Sequence, residues 1–86
     1  MYYFYVLRFN NNGKLYYGFT EDLKRRVKEH KSGGSKFTSQ NGPFDLIFYE
    51  AYLNKSDARN AEKYFKTGHG REVLRDKIKN YLKEFQ

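Results

Sequence analysis

The sequence predicts a small α+β domain in which a three-stranded antiparallel sheet is flanked by helices. Three observations lead to this class: an aromatic β-hairpin at the start of the chain, the element order β-β-α-β-α-α, and amphipathic stripes in the helical segments. The 86 residues suffice for one hydrophobic core and leave no room for a second. We therefore expect residues 1–86 to form a single domain.

The hairpin supplies the first two strands. Residues 2–9 are dense in aromatic and aliphatic side chains, as expected of a strand covered on both faces. Residues 10–14 (NNNGK) contain the Asn and Gly that tight turns favour, and residues 15–19 form the returning strand. Gly18 is expected to turn the chain out of this strand.

The first helix is predicted to begin with Thr20 as its N-cap and to end near Lys31, before a Gly-Gly pair. Its inward stripe follows the spacing i, i+3, i+4 and i+7 and consists of Leu23, Arg26, Val27 and His30. An arginine and a histidine in an apolar stripe indicate a polar environment where this helix meets the sheet.

The second half of the chain adds a strand and two helices. Residues 44–52 are predicted as the third strand, with Phe48 on one face and Ile47 on the other. The second helix begins with Ser56 as its N-cap and ends near Lys66, and the TGHG sequence at 67–70 interrupts it. A continuous third helix over residues 71–85 presents a core stripe of Leu74, Ile78, Tyr81, Leu82 and Phe85.

Composition restricts the classes of function. There is no cysteine for a disulfide or a thiolate metal site, and the two histidines are too far apart in the sequence for a zinc motif. Neither a signal-peptide pattern nor an apolar membrane-spanning run is present, so we expect a soluble, cytoplasmic protein without a membrane partner. The net charge of +7 favours a polyanionic partner, although a basic, unspecialised surface explains it equally well.

The second helix also has a charged residue, Glu62, in an otherwise apolar inward stripe. It lies in the inward stripe with Ala58, Ala61 and Phe65, where a carboxylate must be paired, hydrogen-bonded or bound to a cation. One interpretation is a structural ion pair with Arg26, or a position at the rim that reaches water. The other is a functional cluster of Tyr5, Tyr16, Arg26, His30 and Glu62.

That cluster contains the parts of a phosphodiester hydrolase. A single carboxylate can hold a divalent ion that keeps several waters, as Mg²⁺ usually does. Arginine can bind phosphate and offset the charge of the transition state. A tyrosine or a histidine can take the proton of the attacking water, and the residues alone leave open which of them does so.

Four segments, in order, resemble the motifs of the GIY-YIG nuclease superfamily. They are Tyr3-Phe4-Tyr5, then, after ten intervening residues, Tyr16-Tyr17-Gly18, then DLKRRVKEH at 22–30 and SDARNAEKYFK at 56–66. The chain departs from the pattern at Tyr3 and Phe4, which replace Gly and Ile, and at Phe19, where some branches carry lysine. The matched segments cover nearly the whole chain, and in this the chain resembles the small stand-alone members of the superfamily.

The resemblance implies hydrolysis of DNA with one Mg²⁺ (or Mn²⁺) bound by Glu62, with the choice of substrate set by DNA structure more than by sequence. It implies that Tyr5 and Tyr16 serve the attacking water and the phosphate, that Arg26 holds the scissile phosphate, and that His30 supports proton transfer. Candidate nucleic-acid contacts outside this centre are Lys14, Arg25, Lys36 and Thr38. RNA is not excluded as a substrate. Members of the superfamily usually find their DNA target through attached domains, so we expect a targeting protein or a homodimer to supply specificity here.

Two other functions remain open from the sequence. One is a non-catalytic nucleic-acid-binding module with the same fold, in which Glu62 and Arg26 form an ion pair. The other is a protein-interaction domain that uses an incompletely buried aromatic face of the last helix.

Overall fold

The protein forms a three-stranded sheet with helices on both faces, and the predicted α+β class is confirmed. The structure is a computed structural model, and it describes residues 1–33 and 41–85. The strands are β1 (Tyr2–Phe9), β2 (Leu15–Thr20) and β3 (Phe44–Tyr52). The described helices are α1 (Leu23–Lys31), α2 (Lys55–Phe65), α3 (Gly68–Lys77) and α4 (Lys79–Lys83).

The sheet is antiparallel, with strand order β2-β1-β3. The hairpin register places Tyr5 opposite Gly18 and Leu7 opposite Tyr16. Because β1 is the central strand, its side chains are covered on both faces, as its continuous apolar sequence requires. Phe4, Val6 and Leu7 are all fully buried.

The two faces of the sheet have separate roles. On one face, Phe4 and Val6 pack with Ala61 and Phe65 of α2 and with Leu74 of α3, which forms the main core. The rings of Phe4 and Phe65 stack with their centroids 4.8 Å apart. On the other face, β1 presents Tyr5, and this face receives α1. Ala61 and Phe65 of the predicted α2 stripe are therefore confirmed as part of the core, and Ala58 is also buried.

A bulge in the β1–β3 pairing alters the predicted faces of β3. The register shifts between Val6 and Leu7, so that Val6 is opposite Phe48 while Leu7 is opposite Leu46. Ile47 and Phe48 both pack against the main core. Strict alternation of the two residues was the wrong prediction, because a bulge breaks the period of two.

The junction between β2 and α1 differs from its prediction. Thr20 ends β2, and Asp22 is the N-cap of α1, since its carboxylate accepts a hydrogen bond from the backbone N–H of Arg25 at 3.1 Å. Gly18 lies inside β2 and its φ is not positive, so it does not turn the chain. The predicted start of the helix and the predicted turn are both wrong.

The boundaries of the later helices also differ. Asn54 caps α2 by accepting hydrogen bonds from the N–H groups of Ser56 and Asp57, so Ser56 is not the N-cap. The TGHG segment does separate two helices, but Thr67 is the N-cap of α3 and the helix begins at once with Gly68. The last helix is not continuous, because it divides at Ile78 into α3 and α4.

The predicted stripe of this last segment is buried to very different degrees. Leu74 is fully buried, Ile78, Tyr81 and Leu82 are partly buried, and Phe85 is 49% exposed. No helix within the described ranges is long and apolar enough to cross a membrane.

A pair of glycines at the start of α3 gives a test of the packing between α2 and α3. A Cβ atom at Gly70 would overlap the backbone carbonyl of Tyr64, whereas one at Gly68 would meet nothing within 4 Å. We expect Gly70→Ala to lower the free energy of unfolding by about 1–3 kcal/mol, because the backbones must move apart. Gly68→Ala, the matched control, should be neutral or stabilising. Chemical denaturation of both variants measures the difference, and equal stabilities would contradict this account of the contact.

Candidate active site

The site on the α1 face is built around Tyr5. This side chain is only 1% exposed, and its ring lies over Gly18 on the neighbouring strand. A Cβ atom at Gly18 would overlap both the ring and the hydroxyl of Tyr5. The glycine therefore leaves the space that the tyrosine occupies, which is a role in packing at the site and not in a turn.

His30 holds the hydroxyl of Tyr5. The Nε2 atom of His30 lies 2.8 Å from the Oη atom of Tyr5, which is hydrogen-bonding distance. The imidazole is 2% exposed and also packs edge-on against the rings of Tyr16 and Phe44, at centroid distances of 5.1 and 6.1 Å. Its Nδ1 atom is buried and has no hydrogen-bond partner among the described residues.

The buried environment shifts the pKa values of both partners. Burial, followed by the neighbouring Tyr16, raises the pKa of Tyr5 to about 12 despite the opposing effect of Arg26. Burial, followed by the positive charge of Arg26, lowers the pKa of His30 below 6.5. At neutral pH both groups are uncharged, so the hydrogen bond joins a phenol to a neutral imidazole.

Arg26 brings a permanent positive charge to this pair. Burial alone would lower its pKa, but hydrogen bonds to Glu29, and then to Tyr5 and Tyr16, raise it. The Nη1 atom of Arg26 lies 2.9 Å from the Oε2 atom of Glu29, and the arginine side chain is 28% exposed. Arg26 is thus partly accessible, held from one side by a carboxylate and directed towards two phenols.

Glu62 approaches the site from α2. Its charge is close enough to Tyr5 to contribute to the raised pKa of that tyrosine. The carboxylate is 17% exposed and pairs with two cations of its own helix, Arg59 at 3.7 Å and Lys66 at 3.2 Å. It does not pair with Arg26, so of the two structural interpretations the ion pair is wrong, whereas a position at the rim agrees with the 17% exposure of the side chain.

The carboxylate of Glu62 fits a divalent ion held by few protein ligands. Both oxygens already attract cations, and the Lys66 and Arg59 side chains that neutralise them are about half exposed and can move aside. The described residues contain no group of three or more His, Cys, Asp and Glu side chains that could enclose a metal. Mg²⁺ commonly binds through one or two carboxylates and keeps its waters, so Glu62 is the residue here that could hold such an ion.

The structure brings four of the predicted residues into one cluster, namely Tyr5, Tyr16, Arg26 and His30, with Glu62 near it. The remaining predicted contacts lie elsewhere. Arg25 points outward, 67% exposed, and forms an ion pair with Glu29 at 3.4 Å. Lys14 is exposed after the hairpin turn, away from the cluster, and lines a separate groove. Lys36 and Thr38 lie outside the described residues.

Sequence reasoning missed two residues of the site. Glu29 pairs with both Arg25 and Arg26, a role that its i+4 and i+3 spacing from them could have indicated. Phe44, the first residue of β3, packs against His30. Nothing in its local sequence marks it, because the contact depends on the position of β3 beside β1.

The arrangement gathers two phenols, a charged arginine and, nearby, a carboxylate paired with two cations. A family model described as "GIY-YIG catalytic domain" matches residues 1–78. The chain belongs to this family, a family of nuclease domains.

Its relatives are small proteins of the UPF0213 group. The chain is similar to the UPF0213 protein of Lacticaseibacillus paracasei, with 47% identity over 85% of this chain and 84% of the relative. It is also similar to the UPF0213 protein YazA of Bacillus subtilis, with 40% identity over 95% of this chain and 78% of that protein. The solution NMR structure of a UPF0213 protein from Bacillus halodurans has 37% identity and a TM-score of 0.52, covering 86% of this chain and 82% of that one.

The lowered pKa of His30 predicts how stability depends on acidity. The folded protein binds a proton at His30 less readily than the unfolded chain does, so the stability that neutral His30 provides is complete above pH 6.5 and is lost as the pH falls through the folded pKa. We expect the free energy of unfolding of the unmodified protein to decrease as the pH falls below 6.5. The decrease should be less steep in His30→Gln. Denaturation at a series of pH values measures it. Parallel curves for the two proteins below pH 6.5 would contradict the assignment.

Proposed function

We propose that this protein is an endonuclease that hydrolyses phosphodiester bonds in DNA with a single divalent ion, Mg²⁺ or Mn²⁺, bound at Glu62. The observation that carries the proposal is the gathering of Tyr5, Tyr16 and Arg26 on one face, within the electrostatic range of Glu62. An ion at Glu62 would polarise a phosphate oxygen and lower the pKa of a bound water.

Arg26 would bind the scissile phosphate. It is charged, partly accessible and directed towards both phenols, so a phosphate that enters there meets a guanidinium and hydroxyl donors together. Glu29 now occupies one side of the guanidinium. Its exposed carboxylate keeps Arg26 in position before the substrate arrives, and it neutralises a charge that would otherwise be unpaired in a partly buried place.

Tyr5 and His30 would act as a unit. With a pKa of about 12, Tyr5 keeps its proton at neutral pH and can donate a hydrogen bond, but it takes a proton from water only if its own proton leaves. The Nε2 atom of His30 at 2.8 Å is the group that can receive that proton, in the tautomer that leaves this nitrogen unprotonated. Because Tyr5 is 1% exposed and His30 is 2% exposed, neither group touches the attacking water directly, and the pair serves to position Arg26 and Tyr16.

Tyr16 is more accessible than Tyr5. It is partly buried, 6.3 Å from the Tyr5 ring between centroids, and it shares Arg26 with that residue. This position suits direct contact with the phosphate or with the attacking water. We therefore assign the outer tyrosine to the substrate and the attacking water, and the inner tyrosine, with His30, to positioning Tyr16 and Arg26.

The removal of the Glu62 charge gives the decisive test. Glu62→Gln keeps the side-chain volume and loses only ion pairs to partners that are about half exposed, so the fold should persist. We expect it to slow the nicking of supercoiled plasmid in Mg²⁺ or Mn²⁺ on the order of a hundredfold or more, the loss typical when a group that stabilises transition-state charge is removed.

Glu84→Gln, a matched change at an exposed residue beyond α4, should leave nicking unaltered, and EDTA should abolish it. Nicking that survives in Glu62→Gln at the unmodified rate would reject the proposal. Thermal unfolding provides a readout independent of turnover: the divalent ion should raise the melting temperature of the unmodified protein and of Glu84→Gln, but not that of Glu62→Gln.

A further inference from the structure

Three cations that the candidate site does not use line one groove at the free edge of the sheet. The groove has a volume of about 250 Å³, and its lining consists of Gly13, Lys14, Leu15, Tyr17, Arg71 and Arg75. It lies where the start of β2 meets α3. Because β2 is an edge strand, this groove is at the outer side of the sheet.

The charges in this groove are unbalanced. Lys14, Arg71 and Arg75 form no ion pair with any described residue, whereas Arg25, Arg26 and Arg59 all pair with carboxylates. The lining contains no acidic side chain. Three exposed cations without an acidic partner among the described residues make this concave surface attractive to an anion.

The main core supports one side of the groove. The guanidinium of Arg71 lies 5.9 Å from the centre of the Tyr17 ring, within the range of a cation–π contact. Tyr17 in turn stacks on Phe4 of the main core, with ring centroids 6.3 Å apart. The core therefore supports the aromatic ring against which Arg71 rests.

The groove and the candidate site share β2. Leu15 and Tyr17 line the groove, and Tyr16, between them in the sequence, points to the opposite face and joins the cluster with His30. A chain of anions that follows the edge of β2 would reach both places. A small anion would occupy the groove alone, whereas an extended chain of phosphates could contact both the groove and the candidate site.

We infer that the groove of Lys14, Arg71 and Arg75 holds the phosphate backbone of the DNA substrate beside the bond that is cut. The inference rests on the proposed function and extends it to a second contact surface. Arginine binds phosphate through a planar fork and lysine as a point charge, so both suit a backbone. Contacts to phosphate carry no sequence information, so a groove that holds only the backbone binds independently of sequence.

The test measures DNA binding without cleavage. In a Glu62→Gln background, the double variant Arg71→Gln/Arg75→Gln is titrated with fluorescently labelled DNA, both duplex and branched, by anisotropy at several salt concentrations. We expect the dissociation constant to rise about tenfold or more. The slope of log K against log salt should fall in magnitude by about one for each arginine.

Lys79→Gln/Lys83→Gln is the matched control, because it removes the same charge from exposed positions on α4 outside the groove. It should change the slope much less, and thermal unfolding should show that all variants are folded. Equal binding and equal slopes for the two double variants would overturn the inference. A parallel titration with labelled RNA distinguishes the occupant: if Arg71→Gln/Arg75→Gln weakens RNA binding and leaves DNA binding unchanged, DNA is not the occupant.

The DNA-binding experiment and the plasmid-nicking experiment can fail independently of each other. If nicking proves independent of Glu62 while the arginine variants still lose DNA binding, the groove stands as a binding surface and the catalytic proposal fails. If nicking depends on Glu62 while the two double variants bind alike, the catalytic proposal stands and the groove fails.

Discussion

The hydrogen bond between Tyr5 and His30 is the interaction on which the rest of the candidate site depends. It exists because Gly18 has no side chain, so the Tyr5 ring can lie over the neighbouring strand and place its hydroxyl oxygen 2.8 Å from Nε2 of His30. The same bond fixes α1 to the sheet, since His30 is the buried residue of that helix. The position of Arg26, one turn earlier, follows from it.

The charges of the site are kept in separate pairs. Arg26 is balanced by Glu29 on α1, and Glu62 is balanced by Arg59 and Lys66 on α2. Had Glu62 and Arg26 neutralised each other, neither would be available to a cation or a phosphate without breaking a strong contact. Pairs with exposed partners on the same helix are weak, so ligands can replace them at small cost.

The sequence predicted the strands, the inward stripes of α1 and α2, and the cluster of Tyr5 with Arg26, because these follow from periodicity. It failed where two local signals compete. Thr20 and Asp22 are both good N-caps, and only the extension of β2 to Thr20 decides between them. The bulge beside Ile47 and the role of Gly18 depend on contacts between strands, which no single segment specifies.

The central claim is that Glu62 on α2 and the tyrosine cluster under α1 form one site, although their helices lie on opposite faces of the sheet. Paramagnetic line broadening by Mn²⁺ tests it most directly, with Mg²⁺ as the diamagnetic reference. The account predicts that substoichiometric Mn²⁺ broadens the amide resonances of Glu62 and also those of Gly18 and Tyr5, and that Glu62→Gln abolishes both effects. Broadening confined to α2, or centred on Glu21 and Asp22, would contradict it.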